Sequence, residues 1–342
     1  MFLESLKGLT MSNPIQILDK FGRVHDYLRI SLTERCNLRC FYCMPEEGVK
    51  LRDKANFMTS EEIIDIAKTF VELGIKKIRI TGGEPLIKKD IKNLLLQLGQ
   101  LPVELVMTTN AVLADKFIDT FKEAGIKSLN VSLDSLEEDK FNDISKRKYF
   151  TKIKSNIDLL IEEGFNVKVN AVIIKNLNEH EIPAFIEWTK HKKVSVQFIE
   201  FMPFDGNKWE WDKKVSFKEI LTIAHSHFGE DQIIKIDDKP NSTSKNYQLI
   251  NGIGTFGIIS SVTNPFCDTC NRIRLTADGK IKNCLFSENE TDVLMAFRKK
   301  KNIKALILDS ISNKKKARGG HPEFNDDFVK DMKNRSMTTI GG

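Results

Sequence analysis

The chain has no apolar run approaching the roughly 18–20 residues that a membrane span needs, so it does not read as a membrane protein. Its first ten residues, MFLESLKGLT, hold Glu4, one Lys and no Arg, unlike a secretory or mitochondrial leader. The expected compartment is the cytoplasm, and residues 1–11 read as an extension, with Met1 and Met11 both open as starts. No internal repeat and no low-complexity tract stand out. A basic recognition helix and a stacking-aromatic motif are both missing, so nucleic acid is not expected as a partner despite a formal net charge of +6. The lysines are spread along the whole chain, and runs such as Lys299-Lys300-Lys301 and Lys314-Lys315-Lys316 read as solvated faces. Histidine is scarce, with 6 in 342 residues, and cysteine equally so, with 6. Six cysteines in a chain this long do not make a disulfide scaffold; in a cytosolic enzyme such spacing more often means metal.

What is there begins with those cysteines. They fall into two triads with none left over: Cys36, Cys40 and Cys43, then Cys267, Cys270 and Cys284. The first is C-x3-C-x2-C. Three thiolates can hold three irons of a [4Fe-4S] cluster and leave the fourth open to a non-protein ligand. Zinc is the rival, but it prefers four ligands, and the nearest extra candidate is His25. The second triad, C-x2-C-x13-C, again lacks a close fourth ligand, His321 being the nearest downstream histidine. A second cluster is the favoured reading and zinc the alternative. Between its members lie Arg272 and Arg274, which share one face of an extended segment. Two guanidiniums suit a phosphorylated, purine-like substrate, because Arg makes bidentate contacts; two surface arginines are the plainer reading. Thr81-Gly82-Gly83-Glu84-Pro85 follows a predicted strand. Paired glycines let backbone approach a ligand closely, with the Glu84 carboxylate free to receive an ammonium group, although an ordinary turn also explains Gly-Gly.

The first 205 residues alternate strand and helix. Strands are predicted at Leu28–Leu32, Lys76–Thr81, Val103–Thr108, Ser128–Leu133, Val167–Ile174 and Val194–Met202, with helices from Thr59 to Gly74 and near 88–99, 112–124, 151–163 and 179–191. Alternation of this kind implies a parallel sheet with right-handed crossovers. Six units fall short of a complete eight-fold barrel. The expected fold is therefore α/β, a partial, open (βα)6 barrel over 12–205. A smaller C-terminal region over 206–342 carries the second triad. Lys77 and Arg79 share one strand face, and so do Lys168 and Asn170. Cations turned into a barrel need a polyanion, because burying unpaired charge is costly.

From about Ser12 onward the chain resembles the MoaA family of radical S-adenosylmethionine (SAM) enzymes, the GTP 3′,8-cyclases of molybdenum cofactor biosynthesis. The resemblance rests on Leu28–Ser31, the first triad with Tyr42 before its last cysteine, Lys77–Leu86 and Thr108–Asn110. It continues through Asn130–Asp134, Val167–Asn170, Phe198–Met202, the second triad with its arginines, and the terminal Gly341-Gly342. It implies two [4Fe-4S] clusters and SAM, with the first cluster donating an electron to SAM and a 5′-deoxyadenosyl radical taking hydrogen from C3′ of GTP. Attack on C8, a further electron and a proton then give the cyclised nucleotide. Tyr42, Gly82, Gly83, Glu84, Ser132 and Met202 are implied as SAM contacts, and Arg29, Lys77, Arg79, Thr108, Lys168, Arg272 and Arg274 as GTP contacts. Gly341 and Gly342 are implied to act inside the barrel; no residue is assigned as a protein acid or base. Gln197 departs from the pattern, standing where the family carries Arg. A low-potential donor such as flavodoxin or ferredoxin, a downstream cyclic pyranopterin monophosphate synthase and a homodimer are the implied partners. Two other readings stay open: a radical SAM enzyme acting on a peptide, and an iron–sulfur or zinc regulator binding nucleic acid.

Overall fold

The computed structural model describes residues 16–44, 52–207, 209–321, 324 and 334–341. The six predicted strands are present, each within two residues of its expected ends: β1 (Tyr27–Ser31), β2 (Lys77–Thr81), β3 (Glu104–Thr109), β4 (Ser128–Ser132), β5 (Asn166–Ile173) and β6 (Ser195–Glu200). Between them run α1 (Ser60–Glu72), α2 (Ile91–Gly99), α3 (Ile118–Glu123), α4 (Glu138–Ser145), α5 (Phe150–Glu162) and α6 (Ile182–His191). Helix α1 shows how locally such an element is specified. The Thr59 side chain accepts from the Glu62 N–H while the Glu62 carboxylate accepts from the Thr59 N–H, closing both sides of a capping box. Its face of Ile63, Ile66, Ala67 and Phe70 is buried against the sheet. Helix α4 was not anticipated; three of its eight residues are buried, a weak periodic signal in a polar segment.

Beyond 206 come α7 (Phe217–Phe228), β7 (Ile233–Lys235), β8 (Lys245–Leu249), β9 (Thr255–Ile259), β10 (Arg272–Leu275), β11 (Lys280–Lys282) and β12 (Thr291–Asp292), then α8 (Val293–Arg298) and α9 (Ile303–Ser312). These later strands join the same sheet. Its order is β12-β11-β10-β1-β2-β3-β4-β5-β6-β9-β8-β7. Strand β9 pairs parallel with β6 and β10 pairs parallel with β1, so eight parallel strands stand side by side. The six-strand barrel is thus widened at both margins by the C-terminal region, with antiparallel hairpins outside. The loop around Trp209, after β6, is packed: the Trp209 indole N–H donates to the Phe201 carbonyl at 2.8 Å, and the ring stands edge-on to Trp211.

Candidate active site

In parallel strands, register partners present side chains to the same face. Tyr27 lies beside Arg272 and Lys77, and Arg29 beside Arg274 and Arg79. Asn130 lies beside Thr108 and Lys168, and Asn170 beside Ser132 and Gln197. These inward positions line a cavity of about 1010 Å³, while Leu28, Ile30, Ile78 and Ile80 between them join the hydrophobic core. All seven residues expected to meet GTP line the cavity. Among the described residues, nine cationic side chains line it, including Lys193, Lys239 and Lys282, against two carboxylates, Asp134 and Asp237. Burial, and then the Arg274 charge, hold the Arg29 guanidinium well below its ordinary range. Burial and the charges of Arg79, Lys77 and Lys239 lower Lys168. Arg79 donates to the Met107 carbonyl at 3.1 Å and to Thr108 Oγ1 at 3.3 Å. Lys77 pairs with Glu104 at 2.9 Å. Asn170 Oδ1 and Arg272 Nη2 are buried without a hydrogen-bond partner. The surface is built for a polyanion with polar edges.

The first triad sits over the C-terminal ends of the strands, in the loop after β1. The N–H groups of Cys43 and Met44 both donate to the Cys40 carbonyl, and this turn brings Cys40 and Cys43 together. The Gly82-Gly83 segment packs against that loop: the Gly83 N–H donates to Thr33 O at 2.6 Å, and a Cβ on Gly83 would lie 2.2 Å from Arg35 O. Both glycines also line the cavity, as do Tyr42, Ser132 and Met202. Glu84 departs from expectation. Its carboxylate accepts from the Leu86 N–H, the Thr109 hydroxyl and the Asn110 N–H, so it braces the loop against the end of β3 and is not open to an ammonium group. Burial raises it to about 7 despite those bonds. A carboxylate that does line the cavity on this side is Asp134, just past β4, which accepts from the Tyr42 hydroxyl at 2.6 Å and is raised to about 6 by burial. Asn110 Nδ2 lies 3.7 Å from Cys36 Sγ. Sequence reasoning quoted Asn110 and Asp134 only as parts of motifs; a polar residue directly after a parallel strand was the available signal.

The second triad is assembled by a hairpin. The Cys270 N–H donates to the Cys267 carbonyl at 3.2 Å, and the turn at Thr276–Gly279 reverses β10 into β11. That reversal brings Cys284 back beside Cys270 and accounts for the long third spacing. All six cysteines are free and face the same cavity. The expected solvated run at 314–316 is corrected here: Lys314 is 2% exposed, and its ammonium donates to Cys270 Sγ at 3.4 Å and to the Arg272 carbonyl at 2.9 Å. The chain folds back from α9 under the hairpin, which a charge run alone does not reveal. The tail reaches the cavity as well. After a short helix, Met337–Ile340, the Gly341 carbonyl accepts from Arg274 Nη1 at 2.8 Å. A Cβ on Gly341 would meet Ser31 Cβ at 2.9 Å. Gly342 and residues 1–11 lie outside the described residues.

The spacing of the sulfurs bears on zinc against cluster. A zinc ion with Zn–S of about 2.3 Å draws tetrahedral ligands to about 3.8 Å from one another. Neither triad brings three ligand atoms within 4.8 Å. Among the described residues, the only such group is Glu137, His180 and Glu181, and the Lys140 ammonium already lies 3.1 Å from Glu137 and 3.3 Å from Glu181. Wider sets of three thiols, with no fourth ligand grouped with them among the described residues, fit iron–sulfur cubanes. The expected alternative ligands are engaged elsewhere: His25 Nε2 bonds Asp19 at 3.0 Å, and His321 Nε2 bonds the Phe286 carbonyl at 2.9 Å.

Comparison with known proteins decides the family. The Radical SAM superfamily model matches residues 30–189, and the Molybdenum Cofactor Synthesis C model matches residues 194–319. The mitochondrial GTP 3′,8-cyclase of Arabidopsis thaliana is 43% identical over 338 residues, covering 96% of this chain and 85% of that protein. The chain belongs to the GTP 3′,8-cyclase family. Molybdenum cofactor biosynthesis protein 1 of Drosophila melanogaster is 44% identical over 297 residues, covering 86% of this chain but 52% of that longer protein. This cyclase-family chain therefore spans about half the length of that relative. Among solved structures, Streptococcus suis SuiB bound to S-adenosylmethionine superposes with a TM-score of 0.64 over 93% of this chain and 72% of that one. At 14% identity that likeness speaks for the radical SAM fold alone. No helix among the described residues is long and apolar enough to cross a membrane.

Proposed function

We propose that this chain converts GTP to 3′,8-cyclo-7,8-dihydroguanosine 5′-triphosphate. The observation that carries the reading is that both cysteine triads open onto one cavity whose middle is a row of guanidiniums, Arg79, Arg29 and Arg274. Cys36, Cys40 and Cys43 would hold the first [4Fe-4S] cluster, with SAM among Tyr42, Gly82, Gly83, Ser132 and Met202; Cys267, Cys270 and Cys284 would hold the second. When bound, these groups supply reductive SAM cleavage, hydrogen abstraction from C3′ of the ribose and an open iron for the guanine base.

The chain's own residues bind, orient and exclude water. Arg29, Lys77, Arg79 and Lys168 with Thr108 form the triphosphate wall. Arg272 and Arg274 flank the second triad at the other side. Gln197 is buried and donates to Ser195 Oγ at 2.9 Å, so it brings no charge to the wall. Lys193 and Lys239 line the same cavity and supply cations there. Placement to within about an ångström is what such chemistry demands of a protein, and the strand ladder provides it. Glu84 acts through the loop it braces, and the tail, through Gly341, closes on Arg274. A low-potential flavodoxin or ferredoxin donor, a cyclic pyranopterin monophosphate synthase taking the product, and a homodimer complete the proposed setting.

The test is anaerobic reconstitution followed by iron and sulfide counting and product analysis. About eight irons per chain, with GTP-dependent formation of 5′-deoxyadenosine and cyclised nucleotide, is the expected result. SAM cleavage that ignores GTP but responds to a peptide would support the peptide-modifying reading.

A further inference from the structure

We propose that Lys314 is a positioning and tuning residue of the second iron–sulfur site, one that raises the reduction potential of the cluster held by Cys267, Cys270 and Cys284. This rests on the reading that the second triad holds a [4Fe-4S] cluster.

Lys314 is buried, yet it is not among the residues that line the cavity, so its charge is not offered to a substrate there. Its ammonium points at the back of the triad, 3.4 Å from Cys270 Sγ, and is fixed there by the Arg272 carbonyl at 2.9 Å. A buried ammonium needs an anion close by. The sulfur within its reach is Cys270 Sγ, a ligand that carries negative charge when the cluster is bound.

The position is built. Lys314 follows α9, and the next two residues are strapped by Arg23, which donates to the Lys316 carbonyl at 2.7 Å and the Lys315 carbonyl at 2.9 Å. Arg23 also donates to the Cys267 carbonyl at 2.7 Å and is held by Asp19 at 2.6 Å. One clamp therefore fixes both the strand of chain carrying Lys314 and the first cysteine of the triad. Arg272 and Arg274 face the cavity and are expected to be taken up by substrate. Lys314 stays with the sulfur whether or not substrate is bound.

The consequence is electrostatic. Three thiolates give an oxidised [4Fe-4S] cluster a net charge of −1, and one electron from an external one-electron donor takes it to −2, with no proton moved. A fixed positive charge and an N–H···S bond favour the more negative state, and cluster potentials follow net charge and hydrogen bonds to sulfur.

The test uses the full chain, reconstituted anaerobically with both clusters, in redox titration with dithionite followed by electron paramagnetic resonance. Signals are assigned with a protein carrying Cys36→Ser, Cys40→Ser and Cys43→Ser. At a fixed potential, Lys314→Met should lower the reduced-to-oxidised ratio of the second cluster tenfold or more, about 59 mV for a one-electron couple. The first cluster should not move. Lys314→Gln, which keeps a donor without charge, should fall between, and Lys314→Arg should restore most of the potential. An unchanged second potential in both Lys314→Met and Lys314→Gln overturns the proposal. So does loss of the second cluster in all three variants, which would make Lys314 a structural prop. A wild-type count near four irons per chain removes the underlying reading itself, and is distinguishable from either.

Discussion

The two triads are alike in composition and opposite in surroundings. At the first, burial, then Glu84, raises Cys36 to about 11 against the charge of Arg39, and burial, then Cys36 and Asp134, raises Cys43 to about 12. Cys40 is likewise raised well above its ordinary range, by burial and by Asp134. The second stands among cations, and Cys270 falls to about 6. Burial raises Cys267 as well, so the contrast is between Cys43, a reluctant thiolate, and Cys270, a ready one. At the first site the charge that stabilises three thiolates has to come with the metal, so loading there releases protons. At the second site the protein already supplies part of it. A site whose ligands are held by its metal alone leaves that metal electron-rich and poorly screened. This suits a group that must give an electron to SAM, whereas the cation-lined site suits one that grips a substrate.

The largest effect expected from this contrast is on SAM cleavage. Replacing Cys36, Cys40 or Cys43 with Ala should abolish 5′-deoxyadenosine formation with or without GTP. Replacing Cys267, Cys270 or Cys284 should leave the first cluster and its SAM site in place while blocking the cyclised nucleotide. Chromatography of anaerobic single turnovers reads both, and normal cyclisation by a second-triad variant would break the comparison. Next comes the tail. Deleting Gly341 and Gly342 should leave iron content and GTP binding near wild type but cut the cyclised product sharply, since the Gly341 carbonyl lies on Arg274. Equal product yields would make the tail a bystander. Arg274→Ala should weaken GTP binding by about 10- to 150-fold, the equivalent of a charge-assisted contact of about 1.5–3 kcal/mol, with SAM affinity unchanged by calorimetry. The smallest effect concerns the metal-free protein near neutral pH. There iodoacetamide should modify Cys270 several-fold faster than Cys43, because the thiolate is the nucleophile; peptide mapping by mass spectrometry reads the order directly, and equal rates would erase the contrast.

Much of this was legible in the sequence where the signal is local. The six inner strands, the Thr59–Glu62 cap and both triads follow from periodicity, capping chemistry and spacing. The inward face carrying Lys77, Arg79, Lys168 and Asn170 followed from two-residue alternation, while Arg29 was expected there only from the family resemblance. What depended on long-range pairing was not legible. Nothing near Arg272 says that its strand will lie beside Tyr27, some 245 residues earlier in the chain, or that β9 will extend the other margin. Lys314 was misplaced for the same reason: three successive lysines look solvated until the fold brings Arg23 and Cys270 to them. Glu84 failed differently. Its type and position suggested a ligand contact, but the N–H groups of Leu86 and Asn110, from its own loop and from the end of β3, claimed it first.

The row of Arg79, Arg29 and Arg274 across three neighbouring strands has a consequence for the fold's own endurance. Like charges held in register by backbone hydrogen bonds oppose the very ladder that aligns them, so the empty barrel is under electrostatic tension at its centre. A polyanion relieves it. Whatever binds the folded chain and not the unfolded one adds stability in proportion to the logarithm of one plus its concentration over Kd, about 2.7 kcal/mol at a hundredfold excess over Kd. Inorganic triphosphate, with no base to cyclise and no ribose to lose a hydrogen, should therefore raise the melting temperature of this protein. The gain should shrink when Arg29 is replaced by Met, in a variant whose unliganded form melts higher than its charge-bearing parent.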